Sequence, residues 1–504
     1  MNANLFHVLQ HAIADLDALA IATDGGGRLT YGDLADQTGR MANALATLGV
    51  VPGDRVAAQV EKSAEVIVLY LATVRAGAVF LPLNTAYTPA ETEYFITDAA
   101  PAVLVCDPAR APALADAARR AGARILTLDA AGQGSLTEAA AGAPADFATV
   151  PRAPDDLAAL LYTSGTTGRS KGAMLTHGNL VSNAAALRGA WHYTAHDVLI
   201  HALPIFHTHG LFVATNVTLF SGAAMILLPR FDPGRILALM DRATVLMGVP
   251  TFYVRLLGDD RLDRDRAAGM RLFVSGSAPL LADTHRAWRD RTGHAILERY
   301  GMTETNMNAS NPYHGDRVAG TVGLPLPGVE IVVTDPDTGA ERPAGEIGMI
   351  EVRGPNVFKG YWRMPDKTAA ELRPGGFFIT GDLGRFDDRG YLHIVGRAKD
   401  LVITGGFNVY PREIEDAIDA LPGVAESAVI GLPHPDLGEA VTAVVVPAGP
   451  KALSEAAILA ALRGQLARFK QPRRVLLADA LPRNAMGKVQ KNLLRDRFGD
   501  LYRT

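Results

Sequence analysis

Residues 163–172 read Thr163-Ser164-Gly165-Thr166-Thr167-Gly168-Arg169-Ser170-Lys171-Gly172, a polar and glycine-rich stretch. Apolar runs at 157–162 and 172–176 flank it, and each is short enough for one buried strand. Clusters of Ser, Thr and Gly are often ordinary loops. Here, however, glycines would let the backbone approach a ligand, hydroxyls would donate hydrogen bonds, and the lysine would neutralise negative charge. The stretch predicts a polyphosphate-binding hairpin between two strands.

The common nucleotide-binding pattern G-x-x-x-x-G-K-[ST] does not fit this stretch. Two residues separate Gly168 from Lys171, a glycine follows the lysine, and the flank is strand rather than helix. The stretch instead resembles the phosphate loop of the adenylate-forming superfamily, which includes acyl-CoA synthetases, luciferases and the adenylation domains of peptide synthetases. The resemblance implies an ATP site formed here by Thr163, Ser164, Gly165, Thr166, Thr167, Gly168 and Lys171.

Length and composition indicate a multidomain globular enzyme. The chain has 504 residues, enough for about three structural units. Its net charge of -4 argues against nucleic acid or an anionic membrane as a partner. Cys106 is the only cysteine, so an internal disulfide is impossible and we expect a reducing, cytoplasmic location. We interpret Cys106 itself as a small core residue.

Two segments bear on targeting. Three aspartates precede the first Lys or Arg, Arg28, which predicts neither a secretory signal nor a basic transit peptide. Residues 198–229 contain no Asp, Glu, Lys or Arg and are long enough to span a bilayer. They include three histidines, however, and these would be costly in lipid. We expect a buried strand, helix and strand of a large core.

The rhythm of the chain predicts an α/β fold with a parallel sheet covered by helices. Over residues 1–128 it predicts strands at 55–60, 79–83, 103–106 and 125–128, and a helix at 64–75. Thr88-Pro89-Ala90-Glu91 supplies an N-cap, a proline and a capping-box glutamate for another helix. After the phosphate hairpin, a helix is expected from His177 to about Leu187, with Asn179 as its cap.

Later segments change character. Residues 198–301 indicate a second α/β unit, and 320–395 a small β subdomain of short strands separated by turns. The last hundred residues predict a compact α+β domain. The fold is therefore predicted as a large N-terminal domain, 1–397, of two stacked α/β subdomains plus a small β subdomain, followed by a small mobile α+β C-terminal domain, 398–504.

Further segments resemble the superfamily in the same order. Gly276-Ser277-Ala278-Pro279 is similar to its adenine-side turn, and Tyr300-Gly301-Met302-Thr303-Glu304 to its most diagnostic internal motif. The resemblance implies that Tyr300 stacks on adenine, Thr303 contacts the α-phosphate, and Glu304 holds Mg²⁺ together with Thr167, as a hard cation prefers oxygen ligands. It adds to the ATP-binding residues Gly276, Ser277, Ala278, Pro279, Glu298, Gly301, Met302, Asp382 and Arg397.

The segment Pro482-Arg483-Asn484-Ala485-Met486-Gly487-Lys488 resembles the C-terminal catalytic lysine motif. A lysine there would stabilise charge at phosphorus during adenylation. The resemblance implies rotation of the C-terminal domain about Lys399, which would bring Gly405, Gly406 and Phe407 to coenzyme A. It implies catalytic roles for Lys488, Thr303, Glu304 and His207, and acetylation of Lys488 by an acetyltransferase, reversed by a deacetylase, as regulation.

The acid is predicted from Arg299, which occupies the position before the motif tyrosine. A buried arginine is costly unless an anion meets it, and a second carboxylate on a short acid would do so. We expect a pocket formed by His207, Ser277, Arg299 and the residue at position 306, Asn306. Arg299 could instead pair with Glu298, and Arg255 and Arg286 are rival carboxylate binders.

The segments around His207, Arg299 and Asn356 resemble the malonyl-CoA synthetases of the superfamily. The resemblance implies an acid–thiol ligase that joins malonate, or methylmalonate, to coenzyme A through an acyl-adenylate and releases AMP and pyrophosphate. The alternative is a synthetase for short- or medium-chain monocarboxylates. A peptide-synthetase unit is disfavoured because no carrier domain precedes Thr504, and a silent nucleotide-binding protein because Lys488 and Glu304 are present.

Overall fold

A computed structural model describes residues 2–163, 170–405, 407–449, 453–463, 465–484 and 487–502. The predicted ATP residues Ser164, Gly165, Thr166, Thr167 and Gly168 lie outside the described residues, as does Gly406 of the predicted coenzyme A site. Thr163 and Lys171, at the two ends of the phosphate hairpin, are described and lie opposite each other on paired strands.

The strands are β1 (Leu19–Thr23), β2 (Arg28–Thr30), β3 (Arg55–Gln59), β4 (Val79–Pro82), β5 (Val103–Cys106), β6 (Arg124–Thr127), β7 (Leu157–Thr163), β8 (Lys171–Thr176), β9 (Val198–His201), β10 (Ala224–Leu227), β11 (Val245–Gly248), β12 (Leu272–Ser275), β13 (Leu297–Met302), β14 (Asn306–Ser310), β15 (Leu324–Pro325), β16 (Glu330–Thr334), β17 (Gly348–Arg353), β18 (Gly360–Tyr361), β19 (Phe378–Phe386), β20 (Leu392–Arg397), β21 (Val402–Thr404), β22 (Phe407–Val409), β23 (Val424–His434), β24 (Gly438–Pro447) and β25 (Arg474–Leu477).

The α-helices are α1 (Leu5–Ala12), α2 (Tyr31–Thr47), α3 (Ala64–Arg75), α4 (Pro89–Ala99), α5 (Ala111–Ala121), α6 (Ser135–Ala141), α7 (His177–Ala190), α8 (Asn216–Phe220), α9 (Pro233–Leu239), α10 (Pro250–Leu257), α11 (Ala282–Thr292), α12 (Pro365–Glu371), α13 (Pro411–Asp419), α14 (Glu455–Leu462) and α15 (Lys491–Phe498). A π-helix covers His209–Thr215, and short 3₁₀ turns cover Met240–Arg242 and Ala398–Asp400.

The first α/β subdomain is built on a seven-stranded sheet in the order β18-β8-β7-β4-β3-β5-β6. Strands β3 to β7 run parallel where they pair, as the alternation of strands and helices predicts. Strands β7 and β8 are antiparallel, which confirms that two strands flank the phosphate hairpin.

The second α/β subdomain has a nine-stranded sheet in the order β15-β14-β13-β12-β11-β9-β10-β1-β2. Helices pack between the two sheets. Tyr70 on α3 shows this, because its ring lies 5.3 Å from Phe80 in the first sheet's β4 and 5.8 Å from Phe212 in the π-helix of the second subdomain. Two sheets that share a helical layer form one continuous core, which confirms the predicted stacking.

Two smaller sheets complete the fold. Strands β16, β17, β19 and β20 form the predicted small β subdomain, and β21 to β25 form the sheet of the C-terminal α+β domain. Strand β20 ends at Arg397, and the next strand, β21, already belongs to the C-terminal sheet. The domain boundary at 397/398 and the mobility of the C-terminal domain stay predictions.

The predicted start of α7 at His177 is confirmed, but its predicted N-cap is wrong by three residues. Thr176, rather than Asn179, is the N-cap of α7. The Thr176 hydroxyl accepts the backbone N–H of Asn179 at 3.1 Å, and the Asn179 side chain accepts the Thr176 N–H at 2.9 Å. Asn179 is therefore the second half of a capping box, a role its amide oxygen fills as a glutamate would.

The charge-free segment 198–229 forms β9, the π-helix, α8 and β10, and most of its residues are buried. This agrees with the prediction of a buried strand, helix and strand. Within the described residues, no helix is both long and apolar enough to cross a membrane.

Candidate active site

The candidate site lies where parallel strands of the nine-stranded sheet end. Strand β9 leads to the segment with His207, β12 ends just before Gly276, and β13 carries Arg299 and Tyr300. The carboxyl ends of neighbouring parallel strands share one edge of a sheet, which is where ligands bind in open α/β folds. The predicted acyl and nucleotide residues are therefore brought together by topology rather than by closeness in sequence.

Arg299 is buried against the turn after β12. Its side chain is only 3 % exposed, and a Cβ atom added to Gly276 would lie 2.5 Å from the guanidinium carbon Cζ. Only a residue without a side chain leaves this space, because non-bonded carbons stay more than 3 Å apart. Because Gly276 has no side chain, it leaves room for the guanidinium of Arg299. This role is separate from its predicted position beside adenine.

The guanidinium of Arg299 has no carboxylate to balance it in the described part of the chain. Its Nε and Nη2 atoms are buried and have no hydrogen-bond partner there. Burial lowers the pKa of Arg299 to about 9, so the side chain is still charged at neutral pH. A buried cation with unsatisfied donors requires an anion, and a carboxylate matches its planar donor set.

Two histidines and a serine border Arg299. Burial, followed by the charges of Arg299 and Lys488, lowers the pKa of His207 to about 4. Burial and Arg299 hold the pKa of His209 well below its ordinary value. The Nδ1 atom of His209 lies 3.2 Å from the Ser277 hydroxyl. Both imidazoles are therefore neutral near pH 7 and offer hydrogen bonds without adding charge.

The two other candidate carboxylate binders, Arg286 and Arg255, make contacts of their own outside this pocket. Arg286 is exposed and pairs with Asp283 one helical turn away, and Arg255 is exposed over the ring of Phe231. Glu298 does not pair with Arg299. One of its carboxylate oxygens accepts the backbone N–H of Leu280 at 3.2 Å, and burial raises its pKa to about 8.

The predicted ribose residues form a connected group. Asp382 accepts a hydrogen bond from the Tyr300 hydroxyl at 2.5 Å. It also forms an ion pair with Nε of Arg397 at 2.6 Å. Strand pairing explains the second contact, since Asp382 and Arg397 face each other on β19 and β20. Asp382 is only 4 % exposed, and a carboxylate held by these two contacts can accept further hydroxyl donors.

The predicted magnesium ligand Glu304 belongs to a second group. The Tyr361 hydroxyl lies 3.1 Å from Glu304 and 2.6 Å from Glu371, and Nζ of Lys171 lies 3.3 Å from the same hydroxyl. Lys171 also pairs with Glu371 at 3.6 Å. One phenolic proton cannot serve two carboxylates, and burial raises the pKa of Glu304. A cation would remove that conflict.

These residues fit Mg²⁺ as it usually binds nucleotides. No group of three or more His, Cys, Asp or Glu suited to a metal occurs among the described residues. Mg²⁺ needs no such cage, since one or two carboxylates together with phosphates and water suffice. Glu304 is the described residue that would hold it, while Thr167 lies outside the described residues.

Lys488 reaches this site from the C-terminal domain. The residue before it, Gly487, lies against Thr251 of α10, with 3.6 Å between a Cβ placed on Gly487 and the threonine hydroxyl. Lys488 remains exposed to solvent, and partial desolvation by the cleft, followed by the charge of Arg397, lowers its pKa to about 8. Asp400, beside the predicted hinge Lys399, pairs with Arg495 of α15 at 2.8 Å.

Other predicted residues have less direct positions. Gly405 and Phe407 are exposed on the C-terminal domain, where Phe407 stacks on Phe469 at 4.7 Å. Lys488, by contrast, is close enough to the cleft to lower the pKa of His207. Asn306 is buried and donates to the carbonyl of Asn356 at 3.2 Å. Five further predicted residues are partly exposed, namely Ser277, Ala278, Gly301, Met302 and Thr303, and two are exposed, Pro279 and Lys399.

Sequence reasoning missed several site residues. Tyr361, Glu371 and His209 were not among the predicted site residues. The Tyr361 ring lies under Lys171, 4.3 Å from Nζ, although 190 residues separate the two. The available signal was the pair Gly360-Tyr361, which forms β18 and pairs with β8 beside the hairpin.

Comparisons with known proteins agree with this geometry. The family model "AMP-binding enzyme" matches residues 10–362, and "AMP-binding enzyme C-terminal domain" matches residues 413–488. A feruloyl-CoA synthase from Amycolatopsis sp is 39% identical, covering 94% of this chain and 95% of that protein. A malonate–CoA ligase from Arabidopsis thaliana is 34% identical, covering 95% and 86%.

A solved structure covers the whole chain. The crystal structure of ATP-bound MatB from Rhodopseudomonas palustris is 64% identical, covers 100% of both chains and superposes with a TM-score of 0.99. The predicted resemblance to the adenylate-forming superfamily and the predicted α/β fold are confirmed. With both family models matched in order along the chain, this chain belongs to the AMP-binding enzyme family.

Proposed function

We propose that the chain ligates malonate to coenzyme A in two steps. One malonate carboxylate oxygen attacks the α-phosphorus of ATP, forming malonyl-AMP as the bond to pyrophosphate breaks. The thiol of coenzyme A then attacks the acyl carbonyl, loses its proton, and displaces AMP. The observation that carries the proposal is Arg299, a buried guanidinium with free donors beside the reacting centre.

A second carboxylate explains this guanidinium better than a hydrocarbon tail would. An apolar acid would leave the Nε and Nη2 donors of Arg299 without partners and still exclude water, at a cost of several kcal/mol. A short diacid would give those donors a bidentate partner. The neutral imidazoles of His207 and His209 and the hydroxyl of Ser277 would then complete the hydrogen bonds of the distal carboxylate.

The nucleotide groups support the first step. Asp382, held by Tyr300 and Arg397, is suited to accept the ribose hydroxyls, and Lys171 to neutralise phosphate charge. Lys488 would balance the charge that develops at phosphorus. When bound at Glu304, Mg²⁺ would neutralise phosphate oxygens and orient the leaving pyrophosphate.

The second step requires another orientation of the C-terminal domain. Lys488 and the exposed Gly405 and Phe407 lie on the same domain, and the first step needs only Lys488 at the cleft. We therefore propose rotation about Lys399, with Gly405, Gly406 and Phe407 lining the path of coenzyme A.

A cytoplasmic location suits a chain whose only cysteine is buried. Acetylation of Lys488 is proposed as a regulatory step because it would remove the charge that adenylation uses.

The test is coenzyme A-dependent AMP formation with malonate, methylmalonate, butyrate and benzoate. Malonate should give the highest kcat/KM. Arg299→Met should lower kcat/KM for malonate about 100-fold, since removing one partner of a buried charge pair costs about 3 kcal/mol. Arg286→Met, which removes an exposed arginine, is the matched control. Unchanged malonate kinetics in Arg299→Met, or a preference for butyrate in the unaltered protein, would reject the proposal.

A further inference from the structure

A buried lysine, outside all the groups described above, contacts the start of the segment that carries His207. Lys62 follows β3 and precedes α3, in the first α/β subdomain, and is only 8 % exposed. Its Nζ atom contacts three acceptors of the second subdomain: His201 Nδ1 at 2.9 Å, the His201 carbonyl at 2.6 Å and the Leu203 carbonyl at 2.8 Å. The side chain therefore ties the two subdomains together at the end of β9.

The partners of Lys62 match an ammonium group in number. An ammonium has three donors, and three acceptors surround it, each of them uncharged. Burial nevertheless opposes the charge and lowers the pKa of Lys62 well below its ordinary value. An apolar side chain of similar length would fill this space without that cost but could not make these three hydrogen bonds.

His201 extends these contacts to the π-helix. Its Nε2 atom lies 3.0 Å from the carbonyl of Gly210 and 3.1 Å from the hydroxyl of Thr215. If Nδ1 accepts from Lys62, Nε2 carries the proton and donates to this pair. The same carbonyl accepts the Thr215 hydroxyl at 3.0 Å, and a π-helix, which often marks a functional site, begins beside it.

The segment that carries His207 is thus held at both ends by one network. Lys62 holds residues 201 and 203 directly, and through His201 it holds residue 210. Between these points lie His207 and His209, the two imidazoles that border Arg299. A second constraint comes from Gly210 itself, where an added Cβ would lie 2.0 Å from the carbonyl of Pro204. The segment therefore has little freedom to adjust on its own.

We propose that Lys62 is a positioning residue for acid recognition, which acts by holding His207 and His209 in place against the distal carboxylate of the substrate. This inference rests on the proposed malonate ligase function. It assigns Lys62 no contact with the substrate. Its effect should appear in the recognition of the acid and not in the recognition of ATP, whose predicted residues lie on other segments.

The experiment compares two buried cations near opposite ends of α3, Lys62 just before the helix and Arg75 at its last residue. Lys62→Met keeps the length of the side chain and removes the amine. Arg75→Met is the matched control, because Arg75 lies at the other end of α3, is 7 % exposed, and donates to the carbonyls of Ala35 and Phe147. We expect Lys62→Met to raise the KM for malonate about tenfold and to change the KM for ATP less than twofold. Arg75→Met should lower thermal stability and leave both KM values within twofold.

A double variant separates positioning from general damage. If Lys62 acts through His207, adding Lys62→Met to His207→Ala should raise the KM for malonate less than threefold further. Effects that multiply fully would overturn the inference, as would equal losses for malonate and ATP in Lys62→Met. Should Lys62→Met not fold, His201→Gln decides, since it breaks the link to Gly210 while Lys62 remains. A normal malonate KM in that variant would also overturn the inference.

The two proposals fail in different ways. If the unaltered protein does not use malonate, the proposed function fails, and the Lys62 comparison is repeated with the acid that the substrate panel identifies. If malonate is used and Lys62→Met behaves as Arg75→Met does, the proposed function stands and the role of Lys62 is refuted.

Discussion

At Gly276 a single hydrogen atom leaves the space that Arg299 occupies. The Cβ of an alanine there would lie 2.5 Å from Cζ and 2.7 Å from Nε of Arg299. The guanidinium would have to move, and a bidentate contact does not tolerate a shift of this size. We expect Gly276→Ala to raise the KM for malonate at least tenfold. Gly269→Ala is the control, because its nearest neighbour would lie 3.6 Å away.

The charge of Lys488 should give adenylation an upper pH limit. The pKa of this lysine is lowered to about 8, so its ammonium is lost as the pH rises through 8. We expect kcat/KM for ATP, which reports the free enzyme, to fall above pH 8. Pyrophosphate exchange between pH 6.5 and 9.5 measures this. Lys488→Arg should be slower overall but keep its rate above pH 8, and a decline in that variant at the same pH would contradict the assignment.

At the scale of the elements, the two-residue strand β18 places Tyr361 beside the phosphate hairpin. Strand β18 pairs with β8. The hydroxyl of Tyr361 then lies between Glu304, Glu371 and Lys171. Tyr361→Phe should raise the KM for ATP about three- to tenfold, because Glu304 and Lys171 lose a shared partner.

The Mg²⁺ concentration for half-maximal rate should shift with the KM for ATP in Tyr361→Phe, and the KM for malonate should not. Tyr391→Phe is the control, since it also removes one hydroxyl contact, to the carbonyl of Asp316 at 2.8 Å. An equal change in the two variants would show that the hydroxyl of Tyr361 has no special role.

Elements with local signals could be predicted from sequence. The capping box of Thr88 and Glu91 starts α4 where expected, and β5 has the predicted bounds, Val103 to Cys106. The cap of α7 was misjudged because Thr176 and Asn179 are both good caps and only the strand before them shows which residue is helical. The π-helix has no distinct sequence period, since every one of its residues is buried.

Site residues that belong to a local sequence motif could be predicted. Site residues whose partners are distant in sequence could not. Asp382, Arg397 and Tyr300 were expected to share the nucleotide and do contact one another. Lys62 and Tyr361 were not predicted, because no local pattern links either residue to its partner. His201 lies 139 residues from Lys62, and Lys171 lies 190 residues from Tyr361. Arg299 could be singled out from its motif, but its burial and its missing partner required the structure.

For the whole molecule, buried histidines predict loss of stability in mild acid. Burial lowers the pKa to about 4 in three of them, His177, His207 and His285. It holds the pKa well below 6.5 in two more, His201 and His209. Unfolding returns these groups to about 6.5, so the unfolded chain binds more protons as the pH falls from 6.5 to 4. Stability should therefore decrease with acidification in that window, by about 1.4 kcal/mol per pH unit for each histidine.

Thermal midpoints between pH 7.5 and 5 measure this loss. His285→Gln should make the pH dependence shallower, since the buried His285 no longer contributes, whereas His196→Gln should not, because His196 is exposed. A midpoint that is constant from pH 7 to pH 5 would contradict the prediction.

The burial of Cys106 has a practical consequence for following the C-terminal domain. This thiol is inaccessible and its pKa is raised to about 11, so it holds almost no reactive thiolate at neutral pH. Engineered thiols at two exposed sites, Val254→Cys on α10 and Leu477→Cys on β25, would be the only ones to accept maleimide dyes. Fluorescence energy transfer between the two dyes could then test, in single molecules during turnover, whether the small domain rotates as proposed.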